Sequence, residues 1–240
     1  MQRPDIDTLN TNGERPMKPT IHRTITRPDQ DVVRRLAEQG VATVHESFQR
    51  RGLLAPRMRP IADGWSIAGP AVTSLNHPGD NLMVHAALSV CQPGDVLVVA
   101  TTVPVISGMI GDLIAEQAKV RGLAGIVIDS AVRDVASLRR LGLPIWSAAI
   151  SAAGAVKATP GWVNVPVVCG DQLVNPGDIV VADDDGVVII PGEPAEQVLR
   201  AAEERTAKEA ASREGITAGE LSFDRSGLRQ YLADQGVVEQ

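Results

Sequence analysis

The sequence predicts an α/β fold, one domain with a helical C-terminal extension, and three observations carry that reading. Short β-branched runs alternate with segments of helical apolar spacing between residues 30 and 190. Gly and Pro punctuate that stretch evenly, so no linker divides it. Beyond it the chain turns Ala- and Glu-rich with Val198, Leu199 and Ala202 on one stripe, the pattern of an amphipathic helix.

Residues 1–28 are polar and Pro-rich and read as a loose arm placed to pack on a neighbour. The domain spans 29–191 and the extension 192–240. Asp29 and Asp31 cap a short helix that runs through Leu36 to Gly40, because a carboxylate there satisfies free N–H groups and complements the helix dipole. Strands are expected at 66–73, 96–100, 125–129, 163–168, 179–182 and 187–190, where β-branched residues concentrate. Helices are expected at 80–91, 111–121 and 135–141, the last two ended by Gly122 and Gly142. Pro-Gly-Asp occurs at 78–80, 93–95 and 176–178, but the first copy opens a helix and the others launch strands, so the tripeptide is a turn and not a repeat. Asp183-Asp184-Asp185-Gly186 sits between two strand runs and reads as a hairpin turn rather than a calcium loop. The helix from about 193 to 214 ends in many charges and little apolar surface; it either stands in solvent or lies across another subunit.

Composition removes several functions. The 240 residues are 44% hydrophobic and 22% charged, which excludes disorder and collagen-like character. Six aromatic residues (Phe48, Trp65, Trp146, Trp162, Phe223, Tyr231) leave an aliphatic core and argue against a base-stacking nucleic-acid module, as does the net charge of -6. Only Lys18, Lys119, Lys157 and Lys208 are lysines among 23 basic residues, a skew that suits bidentate carboxylate recognition and equally follows from a GC-rich genome. Cys91 and Cys169 lack CxxC spacing and read as buried thiols of a reducing compartment. No apolar run approaches a membrane span and the first residues contain no hydrophobic signal core, so a cytoplasmic location without membrane contact is expected.

GxSxG, GxxxxGK[ST], HExxH and a Rossmann GxGxxG are all absent. The informative stretch is 108–134, GMIGDLIAEQAKVRGLAGIVIDSAVRD. A helix beginning near Gly111-Asp112 leads through Gly122 into a buried strand that ends in a short loop with Arg133 and Asp134. Ligands of open α/β sheets bind at strand carboxyl ends, and a Gly-rich helix N-terminus with unsatisfied N–H groups at Leu113 and Ile114 is an anion site. If helix and strand run antiparallel, Asp112, Arg133 and Asp134 converge. Asp134 can then bind a hard divalent cation, Arg133 grip a carboxylate, and Asp112 orient a water as proton carrier. By itself the spacing is a weak signal, since Asp112 also reads as a first-turn charge and Arg133–Asp134 as a solvated pair.

The Asp112-x20-Arg133-Asp134 pattern resembles that of the class II pyruvate aldolases of the RraA-like superfamily. The resemblance covers about 30–220 and includes VHESFQRRGLLAPRMRPI (44–61), GDLIAEQAKVRGLAGIVIDSAVRD (111–134), VNVPVVCGDQLVNPGDIVVADDDGVVIIP (163–191) and KEAASREGITAGEL (208–221). It implies an α-β-β-α sandwich of the swivelling β/β/α type and is strongest toward 4-hydroxy-4-methyl-2-oxoglutarate / 4-carboxy-4-hydroxy-2-oxoadipate aldolases, which also decarboxylate oxaloacetate. It further implies Mg2+ or Mn2+ on Asp134, substrate on Arg133, and backbone amides of Gly111, Asp112, Leu113 and Ile114 around the substrate carboxylate. It implies homotrimers, often paired into homohexamers, with active sites between subunits and Glu209 of a neighbouring subunit approaching the metal through water.

Retro-aldol scission leaves an electron pair beside a ketone, so such a site must stabilise a pyruvate enolate. A lysine Schiff base is the competing strategy, but neither Lys119 nor Lys157 has an evident activating setting in the sequence. Arg50, Arg51, Arg57 and Arg59, beside His45 and Glu46, are candidates for distal carboxylates, with solvated or intersubunit roles favoured. His77 and His85 read as satisfied structural residues and Lys157 as a possible neutraliser of substrate charge. The alternative function is a metal-free regulator that binds an RNA-processing enzyme, and Asp134 beside Arg133 favours the enzyme.

Overall fold

A computed structural model describes residues 17–238. The chain forms β1 (Thr20–Ile21), α1 (Gln30–Ala37), α2 (Val41–Ser47), β2 (Arg59–Pro60), β3 (Ile67–Asn76), α3 (Leu82–Leu88), β4 (Val96–Thr101), β5 (Gly108–Ile110), α4 (Asp112–Val120) and β6 (Gly125–Val132). It continues with α5 (Val135–Leu141), β7 (Ile145–Ile150), β8 (Trp162–Val163), β9 (Val167–Cys169), β10 (Gln172–Val174), β11 (Ile179–Asp183), β12 (Gly186–Ile190), α6 (Ala195–Thr217), α7 (Ser222–Arg225) and α8 (Leu228–Asp234).

The parallel strands β3, β4, β6 and β7 lie in that order, with β8 antiparallel to β3 on one side and β2 antiparallel to β7 on the other. Both faces of these strands are apolar, so their side chains split by alternation rather than into a wet and a dry face. Val72, Leu97, Ile126 and Ile128 face α3, α4 and α5, whereas Ala71, Val98, Val127 and Trp146 face the second sheet. That second sheet is the hairpin β11–β12 joined to the first half of β3, which lets one long strand serve both sheets. A third apolar layer seals its outer side with α1, α2 and the first half of α6. Helices, sheet, sheet and helices thus stack as the expected α-β-β-α sandwich. Trp146 is fully buried between the sheets and its indole N–H donates to the Asp183 carbonyl at 2.8 Å, satisfying the one polar group it carries.

Local chemistry places the elements. Asp29 caps α1 by accepting from the Asp31 N–H at 2.7 Å, while Asp31 itself pairs with Arg34 and Arg35. In all three Pro-Gly-Asp copies the Asp N–H closes a turn on the residue before Pro, at 3.1 Å, and the Gly takes a positive φ of 68°, 87° or 91°. The acidic tetrapeptide is a hairpin turn with Asp183 paired to Gly186, and the Asp183 carboxylate is used by the Asp185 and Val41 N–H groups.

Three expectations change. The arm expected over 1–28 is described only from residue 17, and residues 1–16 lie outside the described residues; 17–28 are not loose, since β1 pairs with β8 and Arg27 grips Asp95 in a bidentate pair at 2.9 and 2.7 Å. The run 163–168 is two strands, because Asn164 takes a left-handed φ of 56° and Pro166 cannot extend a ladder. The strand beginning at Gly125 extends past residue 129 to Val132, through a register shift between Ile128 and Ala131. The end of α6, with α7 and α8, buries nothing after Ala202 against the rest of the chain.

Asp95 is 1% exposed, so Asp95→Ala strands Arg27 and the Gln92 N–H and is expected to cost about 3–5 kcal/mol. Glu38→Ala, which removes an exposed partner of Arg34, leaves the unfolding midpoint unchanged. Urea denaturation of both variants checks the contrast.

Candidate active site

Two parallel strands end side by side. β5 pairs with the end of β6, and the Arg133 N–H donates to the Ile110 carbonyl at 2.9 Å, so the residues after each strand meet. Gly111 and Asp112 lead into α4; Arg133 and Asp134 lead into α5. Asp134 Oδ2 accepts from the Asp112 N–H at 3.4 Å and lies 3.5 Å from Arg133 Nε. The structure therefore brings Gly111, Asp112, Arg133 and Asp134 together. The agent is β5, a three-residue strand that sequence patterning passed over.

Asp134 occupies the N-cap position of α5, where its backbone carbonyl accepts from the Ser137 and Leu138 N–H groups, but its side chain makes no cap hydrogen bond. Its backbone is left-handed, φ 56° and ψ 34°, a conformation that costs a non-Gly residue about 1–2 kcal/mol. A carboxylate held at that cost and turned away from the helix it should cap is pointed at the mouth of α4 instead. Arg133 lies across three glycines: a methyl group would meet its Cβ from Gly108 at 3.1 Å, its Nε from Gly111 at 3.1 Å and its Nη1 from Gly154 at 3.4 Å. Its only described ionic partner is Asp134, which leaves the outer guanidinium N–H groups for a ligand.

The start of α4 is less open than the sequence suggests. The Leu113 N–H already donates to Asp112 Oδ1 at 2.8 Å, while the Ile114 N–H has no acceptor among the described residues. An incoming anion finds Ile114 ready and must displace Asp112 from Leu113.

These groups border a cleft of about 300 Å³ whose inner wall is Asn81, His85 and Lys157; sequence reasoning offered Lys157 for substrate charge but missed Asn81 and gave His85 no part in the site. Asn81 is 7% exposed with Oδ1 unpartnered, and the buried His85 Nε2 is unpartnered too, so His85 is not the satisfied core histidine expected. Burial, helped by Lys157, pushes the His85 pKa below its ordinary value. The only sequence signal was negative, a histidine with no second ligand.

The arginines proposed for distal carboxylates are committed elsewhere. Arg57 bridges Asp129 and Asp171 at 3.0 and 2.9 Å, Arg50 pairs with Glu46, Arg51 covers Phe48, and Arg59 reaches the carbonyls of Asp184 and Asp185. Glu209 pairs with Arg205 on α6 at 2.9 Å and does not line the cleft of its own chain. Lys119 is tied to the Leu141 carbonyl at 2.6 Å. Cys91 and Cys169 are buried free thiols; burial pushes Cys91 up to about 12 and Cys169 further, so neither is a nucleophile. No three His, Cys, Asp or Glu side chains cluster as a metal cage among the described residues.

A family model for RraA-like proteins, described as Aldolase/RraA, matches residues 41–189. The chain belongs to the RraA-like family. A Halalkalibacterium halodurans member, provisionally named 4-hydroxy-4-methyl-2-oxoglutarate aldolase, is 35% identical over 179 residues, 75% of this chain and 83% of its own. The crystal structure of Streptomyces coelicolor RraAS2, called an unusual member of the RNase ES inhibitor RraA family, superposes with TM-score 0.70 at 36% identity, covering 78% of this chain and 99% of its own. The RNA-processing inhibitor RraA from Thermus thermophilis gives TM-score 0.57 at 26% identity, over 62% and 91%. The RraA-like fold thus accounts for the stacked sheets and helices of the chain. No helix among the described residues is long and apolar enough to cross a membrane.

His85 carries a depressed folded-state pKa against an ordinary value of 6.5, so the unfolded chain binds the extra proton first. Stability is therefore expected to fall as pH drops below about 6.5, until the folded-state pKa is reached. His85→Gln should flatten that part of the stability profile, as read from denaturation midpoints between pH 7 and 5; an unchanged slope contradicts the assignment.

Proposed function

We propose that this protein is a divalent-metal-dependent aldolase that cleaves 4-hydroxy-2-oxo di- and tricarboxylic acids. The substrates we infer are 4-carboxy-4-hydroxy-2-oxoadipate and 4-hydroxy-4-methyl-2-oxoglutarate, giving pyruvate plus oxaloacetate or pyruvate, with oxaloacetate decarboxylation as a second activity. The observation that carries the proposal is Asp134, strained, uncapping and aimed at the α4 mouth beside Arg133. The aldolase name of the Halalkalibacterium halodurans relative supports it.

The donor set suits a hard cation, because Mg2+ is commonly held by one or two carboxylates, its remaining positions taken by water and substrate. Asp134 would hold Mg2+ or Mn2+, which when bound supplies positive charge for the 2-keto and carboxylate oxygens of the substrate. Arg133 and the Ile114 N–H orient the same 2-oxo acid end, and the N-terminus of α4 adds its partial positive charge. Asp112 takes up, through water, the proton lost by the C4 hydroxyl. The C3–C4 bond then breaks, the C4 oxygen becomes a carbonyl, and the electron pair remains on the pyruvate enolate, where Arg133 stabilises the oxyanion. Solvent returns a proton to C3 and pyruvate leaves. Oxaloacetate loses CO2 through the same enolate.

Our reading extends to assembly: homotrimers, alone or paired as hexamers, with Glu209 from a neighbouring subunit reaching the metal through water. The exposed end of α6 and the exposed Leu113 and Ile150 beside the site support a covering neighbour. In this reading 192–240 is the intersubunit extension, and the setting is cytoplasmic, where buried thiols stay reduced. The likeness to RraAS2 favours a second reading, a metal-free regulator of an RNA-processing enzyme.

Pyruvate release from either aldol is expected only with Mg2+ or Mn2+. Asp134→Asn, which tolerates the left-handed backbone, should lower kcat/KM by about a hundredfold or more while the far-UV spectrum is unchanged. Metal-independent turnover, or none on the two aldols and oxaloacetate, contradicts the aldolase and favours the regulator.

A further inference from the structure

The cleft holds a second cationic end that the reaction scheme above leaves unused. Lys157 follows β7 in a loop sewn to the start of α3: the Val156 N–H donates to the Gly79 carbonyl and the Asn81 N–H to the Val156 carbonyl, both at 2.9 Å. On the far side of Lys157 the next two backbone N–H groups, of Ala158 and Thr159, converge on Asp80 Oδ2 at 3.0 and 2.6 Å. Asp80 is 2% exposed and also caps the Leu82 N–H, so the lysine stands on a rigid, buried mount. Lys157 itself is exposed and forms no ion pair with any described residue.

Asn81 and His85 project into the same wall from α3. The Asn81 amide donates its N–H to the Met109 carbonyl at 2.8 Å, which fixes the flip and leaves Oδ1, an acceptor, without a donor. A buried acceptor without a partner costs about 1–3 kcal/mol, and the cost is removed by a ligand that brings an O–H. An unpaired ammonium beside it calls for a carboxylate. The two requirements together describe a hydroxy acid.

We propose that Lys157, with Asn81 and His85 behind it, forms a subsite for the distal end of the substrate, pairing a distal carboxylate while Asn81 accepts from the C4 hydroxyl in the bound ground state, before that proton turns to the water that passes it to Asp112. The proposal rests on the aldolase reading for the identity of the other end, held by Arg133 and the α4 N-terminus. Lys157 is then the residue that selects oxo acids with a distal carboxylate. Its removal weakens binding of such acids and spares chemistry that needs only the 2-oxo acid half.

Lys157→Met tests this, because an exposed side chain without partners can be truncated without loss of fold. Two readouts are compared in wild type and variant with Mg2+ or Mn2+ present: KM for the two aldols, and deuterium exchange from solvent into the methyl group of pyruvate, which has a single carboxylate. A tenfold or larger rise in KM with exchange within twofold of wild type supports the subsite, and Lys157→Arg should recover most of the loss. A KM within twofold of wild type, or cleavage and exchange falling together, overturns it. A wild-type protein that shows neither cleavage nor exchange sinks the aldolase reading, and calorimetric binding then decides the subsite alone. 2-Oxoglutarate and 2-oxopentanoate share one chain and differ in the terminal carboxylate. A preference for the diacid that disappears in Lys157→Met supports the subsite, and a preference that is absent or survives overturns it.

Discussion

Everything chemical in this molecule depends on the parallel pairing of a three-residue strand, β5, with the end of β6. That pairing stops two strands at one level, so that the turn into α4 and the turn into α5 face each other. Gly111 makes the approach possible: a methyl group there would overlap the Asp134 carboxylate, although the Gly111 backbone is extended and suits any residue. The requirement is space, not conformation. Asp134 supplies the conformational strain instead, and Arg133 is laid across glycines on either side.

The layers above and below keep this arrangement rigid. Both faces of the parallel strands are buried, one under α3, α4 and α5 and the other under the second sheet, so the strand ends have no freedom to slide. The Pro-Gly-Asp turns add a second use of acid chemistry. In each copy a buried carboxylate satisfies backbone N–H groups, and the copy at Asp80 carries this furthest by tying the Lys157 loop to the base of α3. The same residue type serves as structural cement at Asp80, Asp95 and Asp178 and as a presented, strained ligand at Asp134. Burial separates the two uses, since the Asp134 side chain is 40% exposed.

Much of the fold is legible in the sequence because long apolar runs and capping residues act locally. The strands beginning at Val96, Gly125, Ile179 and Gly186 and the helices α1, α4 and α5 follow from β-branched content, Asp29, Gly122 and Gly142. What escaped is set by partners rather than by pattern. β5 is too short to show a period, β7 is rich in Ala and Ser, and α2 is β-branched yet helical because its apolar face packs on the second sheet. The acid and arginine of the site were readable as a spacing joined to a family resemblance. The inner wall was not, because an unpartnered Asn81 Oδ1 or His85 Nε2 is defined by what fails to surround it, and a sequence does not record that.

The central claim is that the space at Gly111 exists to let Asp134 hold a divalent cation at the mouth of α4. The direct measurement is the Mn2+ affinity of Gly111→Ala beside wild type, with urea denaturation of both. The overlapping atom ends a side chain that can swing away, so stability should stay within about 1 kcal/mol while Mn2+ affinity drops about 10- to 100-fold. Unchanged Mn2+ affinity in a folded Gly111→Ala protein, or no measurable Mn2+ binding by wild type, contradicts it.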